Sequence, residues 1–434
     1  MTMHRFLLLL FLLLPALPSR AEDLTLHAAV VRALADNPAM AAARLGVAAG
    51  EEGVKSAFGR HLPRLALDGN YTIRQDPLPY IPAQSATIGP HFSDQFASYT
   101  ITLTLPLYQG GQIVNGVALS QARKVLQEQG AVLTRNELIA NTVNTYNKIL
   151  QLASLRDASQ ASLTALEQQQ ANAQLLFKVG RIARVDLLKV EVQTANEQQR
   201  LTSLNAGIAT AFATLRTLMG TPEQAVQATP ALVDHLGIPS LQADFGAGLV
   251  QALKQRPEYQ SALQEVRVAD LNRKMAMGKL LPGLAAFGGY LDQFGLQPWY
   301  KEANWFGGVN LNMPLFDRSL YADLSRQRIE ADRAREQLHG LENQVRLELR
   351  SALNSLDESR ARIGATRQAV EQAHEAYRIE QQRFQTGAGA VVDLLLAQSA
   401  DVTAAANYSQ ALYDYNAAVV AYRRATGTLE EYLQ

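Results

Sequence analysis

Residues 98–111 read SYTITLTLPLYQGG and alternate strictly between apolar and polar side chains. Tyr99, Ile101, Leu103, Leu105 and Leu107 fall on one face, and Thr100, Thr102 and Thr104 fall on the other. A period of two marks a strand with one apolar and one polar face. About ten such residues, tilted, cross a bilayer. After Gly110-Gly111 the pattern changes. Residues 112–178 contain no proline and little glycine, and as one helix they would run about 100 Å. Within them Ile139, Val143, Tyr146, Leu150 and Ala153 step by 4, 3, 4, 3. Beyond Gly180, Leu201, Leu204, Ile208, Ala211, Leu215 and Leu218 step by 3, 4, 3, 4, 3. Both are coiled-coil seams, so the two segments should fold back as an antiparallel hairpin with its tip near Gly180.

The segments upstream fit the same scheme. Residues 24–35 form an amphipathic helical pattern ended by Asp36-Asn37-Pro38, and a second runs over about 39–59. Residues 64–74 alternate as a strand, with Leu65, Leu67, Tyr71 and Ile73 opposed to Asp68, Asn70, Thr72 and Arg74. Residues 76–95 carry Pro77, Pro79, Pro82 and Pro90 and read as an irregular loop joining this strand to the next.

The chain then repeats itself. Pro257 follows Pro38 by 219 residues, and Pro282 follows Pro63 by 219. Pro314 follows Pro106 by 208, and Phe384, Gly387, Asp393 and Gly427 each follow Phe177, Gly180, Asp186 and Gly220 by 207. Strands are expected over about 283–292 and 305–313, the first of them alternating poorly. The closing helix shows the seam again at Ala405, Tyr408, Leu412, Tyr415, Val419 and Tyr422. One unit of helix, strand pair and long helical hairpin therefore occurs twice. The expected division is a leader over 1–21, a first repeat over 22–220 with its hairpin over about 112–219, a linker over 221–246, a second repeat over 247–427 with its hairpin over about 317–426 and tip near 387, and a tail over 428–434.

Composition narrows the function. Forty basic and forty acidic residues cancel, so nothing draws the chain to nucleic acid. There is no cysteine, which excludes disulfides, thiolate metal sites and a lipid-anchoring cysteine. His4 and Arg5, the apolar run 6–14 and the small residues Ser19 and Ala21 fit a secretory leader cleaved after Ala21. No GxxxxGK[ST] motif occurs, and the seven histidines lack HxxxH or HExxH spacing. The glycines at 387 and 389 sit between helices rather than after a strand. The mixed charges of 326–336 read as a solvated helix face. No catalytic constellation, cofactor or metal is expected.

Four membrane-length strands cannot close a barrel, and their free edges would leave backbone groups bare in lipid, at several kcal/mol each. They must close with other copies; two would give eight strands, whose interior side chains fill, and three give twelve, wide enough for a lumen. Asp68, Asn70, Thr72, Thr100, Thr102, Thr104, Asn310 and Asn312 would line the lumen, and Tyr71, Tyr99, Trp299, Tyr300 and Trp305 would form an aromatic girdle. The helices would continue as a coaxial periplasmic cylinder.

The duplicated units, the prolines beside each strand pair, and the tip segments VGRIARVDLL and TGAGAVVDLL resemble the TolC-type outer-membrane efflux proteins across essentially the whole chain after the leader. The resemblance implies a mainly α protein with membrane β: a homotrimer with a twelve-stranded β-barrel continued by a twelve-helix α-barrel. It implies a passive exit duct in the outer membrane of a Gram-negative bacterium. Substrate would arrive from an inner-membrane pump (RND, ABC or MFS type) through a periplasmic adaptor. The tips at Gly180, Arg181, Gly387 and Ala388 would meet the adaptor; for the two glycines a role in the turn alone is equally open. Asp393 would form an acidic ring at the mouth, with Asp186 in a neighbouring lock; the other reading is that both only favour the start of a helix. In the family's best-known member the lock aspartate pairs with a tyrosine and an arginine, but Phe384 and Gly389 stand there in this chain. Leu396 stands where a second mouth aspartate would be. Arg181 and Arg184 are the cations nearby in sequence. A periplasmic adaptor or coiled-coil scaffold without its own pore is the alternative.

Overall fold

A computed structural model describes residues 24–80, 91–221, 231–296 and 299–433; the expected leader lies outside them. The first repeat contains α1 (Leu26–Asp36), α2 (Pro38–Gly59), β1 (Arg64–Tyr80), β2 (His91–Gln109), α3 (Gln112–Lys178) and α4 (Arg184–Leu218). The second contains α5 (Phe245–Gln255), α6 (Pro257–Gly278), β3 (Gly283–Leu296), β4 (Trp299–Asn312), α7 (Arg318–Gln385) and α8 (Val391–Thr426). The expected tail is a packed 3-10 turn, Leu429–Leu433, whose Leu429 is fully buried.

Side chains start the short helices. Thr25 accepts from the Ala28 N–H at 3.2 Å, Asn37 from Ala39 at 2.8 Å and Asp244 from Ala247 at 2.7 Å, each filling one of the open donors at a helix start. Pro38 and Pro257 occupy the first helical position, where their missing N–H costs nothing.

The long helices are unequal. α3 has 67 residues and its return, α4, has 35. The 22-residue α2 covers the other half of α3. At the junction Asn37 Nδ2 donates to the Leu218 carbonyl at 2.8 Å. Gly220, at φ +67°, packs against the Asp36 carbonyl with no room for a Cβ. Gly427, at φ +81°, would set a Cβ in tight contact, 3.0 Å from Gln255. Both positions need the left-handed backbone, and Gly220 also needs the absent side chain.

The seams are the core. Ile139, Val143 and Tyr146 are wholly buried, and Tyr146 packs with Ala29, Ala33, Ile149 and Leu215. Tyr415, Val419 and Tyr422 pack with Leu349. Val30, Ile139, Val143, Val420 and Leu429 join the two repeats. Each fully buried leucine or valine here contributes about 1.5–3 kcal/mol. Lower down, the α3–α8 seam turns polar: Gln151 donates to Gln410, and Gln398 Nε2 to the Ser162 carbonyl at 3.3 Å.

The four strands form one antiparallel sheet in the order β1-β2-β3-β4, leaving β1 and β4 as free edges among the described residues. Leu65, Leu103, Gly288 and Gly307 form one cross-strand row, and Leu67, Ile101, Tyr290 and Trp305 the next. The strands outrun the sequence expectation. Much of the supposed loop over 76–95 is strand, because β1 continues to Tyr80 and β2 begins at His91. Pairing shifts between Ile73 and Leu78, around Pro77. β1 is an edge strand, where a proline removes only an N–H that has no ladder partner within the chain. β4 ends at Asn312, so Met313 lies just past it.

Candidate functional site: helical tips and sheet faces

The two tips share one backbone design. In the first, the Arg181 N–H donates to the Leu176 carbonyl at 2.8 Å and the Gly180 N–H to Phe177 at 3.0 Å, with Gly180 at φ +75°. In the second, Ala388 donates to Arg383 at 2.9 Å and Gly387 to Phe384 at 3.1 Å, with Gly387 at φ +76°. This is the glycine helix stop. Gly389 is constrained differently: a Cβ there would lie 3.0 Å from the Phe384 nitrogen.

Asp186 and Asp393 both sit in the first turn of a returning helix, where a carboxylate favours the helix dipole. Asp186 is half-buried and lies 3.3 Å from Lys189 Nζ. That cation, one turn along α4, is the one the sequence reading passed over in favour of Arg181 and Arg184; its i,i+3 spacing was the available signal. Asp393 is exposed and makes no ion pair among the described residues. Leu396, one turn further on, is 64% exposed.

Phe384 belongs to a small apolar cluster with Ala173, Ile182, Leu187, Val190, Val391 and Leu395, drawn from both hairpins. The tips of one chain are thus joined by packing. Beside this cluster lies a groove of about 760 Å³ lined by amide side chains, among them Gln169, Asn172, Gln381 and Gln385, together with Arg181 and Gly387. Ala388 is exposed at its rim.

The sheet has two distinct faces. Leu65, Leu67, Tyr71, Ile101, Leu103, Tyr290, Trp305, Val309 and Leu311 share the apolar one, and all but Tyr290 are well exposed. Tyr99 lies on it too and donates to Asp292 Oδ2 at 2.8 Å, which places a buried carboxylate among aromatic rings midway along β2. The side chains of Trp299 and Tyr300 fall outside the described residues. Asp68, Asn70, Thr102 and Asn310 share the opposite face. That face is less polar than the sequence suggests. Phe287 and Phe306 stand on it with ring centroids 6.3 Å apart. Their rings lie over Gly308 and Gly289 of the neighbouring strand, an arrangement that restores packing to glycine in a sheet. The weak alternation of the third strand concealed this, because its facing is settled only by pairing.

No described helix is long and apolar enough to cross a membrane, and no group of His, Asp or Glu among the described residues could hold a metal ion.

Comparison with known proteins is consistent along the chain. A family model described as outer membrane efflux protein matches residues 29–221 and 248–428. The outer membrane efflux protein BepC of Brucella suis is 25% identical over 410 residues, covering 93% of this chain and 86% of that protein. The outer membrane protein TolC of Vibrio cholerae is 26% identical over 391 residues, covering 88% and 85%. The crystal structure of the Campylobacter jejuni CmeC outer membrane channel superposes with a TM-score of 0.81 at 17% identity, covering 93% of this chain and 85% of that one.

Proposed function

This chain belongs to the outer membrane efflux protein family, and from that premise we propose how its own residues build the duct. The protein is an outer-membrane channel of a tripartite efflux or type I secretion system, reaching from the membrane into the periplasm. The observation that carries the reading is the sheet: one amphipathic four-stranded layer, open at β1 and β4, attached to helical hairpins about 100 Å long. Three copies joining β4 of one chain to β1 of the next close twelve antiparallel strands, which removes every bare edge. The apolar face meets lipid, and Asp68, Asn70, Thr102 and Asn310 line the lumen. A periplasmic adaptor docks at Gly180, Arg181, Gly387 and Ala388, beside the amide-lined groove, and couples the duct to an inner-membrane pump. Asp393 rings the mouth. Asp186 is partly neutralised by Lys189, and the Phe384 cluster holds the tips by packing rather than by ion pairs.

Detergent extraction of outer membranes tests the assembly. Heat-resistant trimers of the mature chain are expected; a purely soluble monomer would favour the pore-less adaptor or scaffold instead. Cross-linking from position 388 followed by co-purification identifies the adaptor.

A further inference from the structure

On the apolar face of the sheet the cross-strand rows change size abruptly. Tyr290 stands opposite Trp305 with ring centroids 4.9 Å apart. One step toward the helices the row is Gly288 opposite Gly307, and the next is Ala286 opposite Val309. A cleft of about 580 Å³ opens at Gly288, walled by Leu65, Ile101, Leu103, Tyr290 and Trp305, with Gly289 and Phe306 also against it. No charged side chain among the described residues lines it.

Four glycines cluster here, and they divide by face. Gly289 and Gly308 point toward the opposite face and are covered by the Phe306 and Phe287 rings. Gly288 and Gly307 point toward the apolar face, and the atoms nearest their missing Cβ positions are backbone. Glycine inside a strand weakens it and commonly marks the close approach of another group. For Gly289 and Gly308 that group is a phenylalanine of this chain. Over Gly288 and Gly307 no side chain among the described residues comes within 4 Å of the missing Cβ.

We propose that this cleft binds one acyl chain of a phospholipid from the periplasmic leaflet. The inference rests on the outer-membrane placement of the sheet, which makes hydrocarbon the medium against this face. The Tyr290–Trp305 pair stands midway along β3 and β4 rather than at the margin where a girdle was expected, and it closes the cleft on the side away from the helices. Toward the helices the floor continues over the small Ala286. A chain rising from the periplasmic leaflet therefore ends against the two rings. It fills contacts that the void would otherwise forfeit.

The chain's two tryptophans, Trp299 and Trp305, make the test direct. In Trp299→Phe protein, reconstituted as the full-length trimer, Trp305 is the sole emitter. Phosphatidylethanolamine vesicles carry bromine either near the chain terminus or near the carbonyl. The terminal probe is expected to quench Trp305 at least about twofold more strongly, and Gly288→Val should reduce that excess while the trimer persists. If valine prevents assembly, Gly288→Ala serves, since its Cβ would lie 3.6 Å from its nearest neighbour, the Phe306 carbonyl oxygen; a smaller reduction is then expected. Equal quenching in wild-type and filled variants overturns the cleft, as does stronger quenching by the carbonyl probe or by brominated lipid A added from outside. Absence of quenching by every probe overturns the membrane placement itself, and the cleft with it.

Discussion

Asn37 and Arg256 hold the same place in the two repeats, 256 − 37 = 219 residues apart, and each is the N-cap of a 22-residue helix opening with proline. They do the job with different chemistry. Asn37 caps α2 through its own carbonyl oxygen and donates to Leu218. Arg256 has no side-chain cap bond; it is buried, with Nη1 2.7 Å from Glu348 and Nε 3.5 Å from Glu258. The second repeat therefore ties α6 to α7 by charge where the first ties α2 to α4 by a neutral hydrogen bond.

Replacing Arg256 by methionine breaks its ion pairs with Glu348 and Glu258 and should cost more than the roughly 1 kcal/mol of an exposed pair, because the Arg256 side chain is buried. Asn37→Ala should cost about 1 kcal/mol, as for a lost cap. Denaturant titration of the trimer with both variants checks the order; an Asn37 effect larger than that of Arg256 would show that the ion pair is incidental.

Lysine at Leu103 or Leu311, on the apolar face, should cost about 2–4 kcal/mol if that face meets lipid near the midplane. Lysine at Thr102, on the polar face, should leave assembly intact. The fraction of heat-resistant trimer for each variant is the readout, and equal assembly would reverse the assigned faces.

The junction of α6 with α7 responds to acid. Arg326 and Lys279 hold the Asp323 carboxyl down to about 2, from 3.8. A lowered pKa means the contribution is complete above about pH 4 and is lost as pH falls toward 2. The difference in melting temperature between wild type and Asp323→Asn should stay constant from pH 7 to about pH 4 and shrink below it. A gap that widens on acidification contradicts the assignment.

At the tip, Ala388→Trp should preserve helix content and trimer stability yet abolish efflux if the adaptor docks there, because Ala388 is exposed between Gly387 and Gly389, which line the amide-rich groove. Unchanged efflux with adaptor cross-linking intact places docking elsewhere.

Asp393→Ala should lower cation selectivity and divalent-ion block in single-channel recordings. Asp186→Ala should do less, because Lys189 already offsets that charge. If Asp393→Ala leaves both quantities unchanged but weakens the trimer, the carboxylate acts only on the α8 dipole.

Much of this architecture is local and was therefore legible in the chain. Period-two alternation set the faces of Leu103 and Thr102 before any partner strand was known, and the 3–4 stepping through Ile139, Val143 and Tyr146 marked residues that are wholly buried. The offsets of 219 and 207 revealed the duplication, because a repeated unit must repeat its turn residues. Pairing and end-to-end contact were decided only in three dimensions. Phe287 and Phe306 stand on the face of Thr102 and Asn310 because the register sets Gly289 and Gly308 beneath them, which alternation in a Gly-rich strand could not encode. The return of α3 is divided between α4 and α2 because Gly220 lets one helix end against the start of another 181 residues away in the chain. Sequence records what a side chain prefers; which group stands across from it depends on where the backbone brings a distant segment.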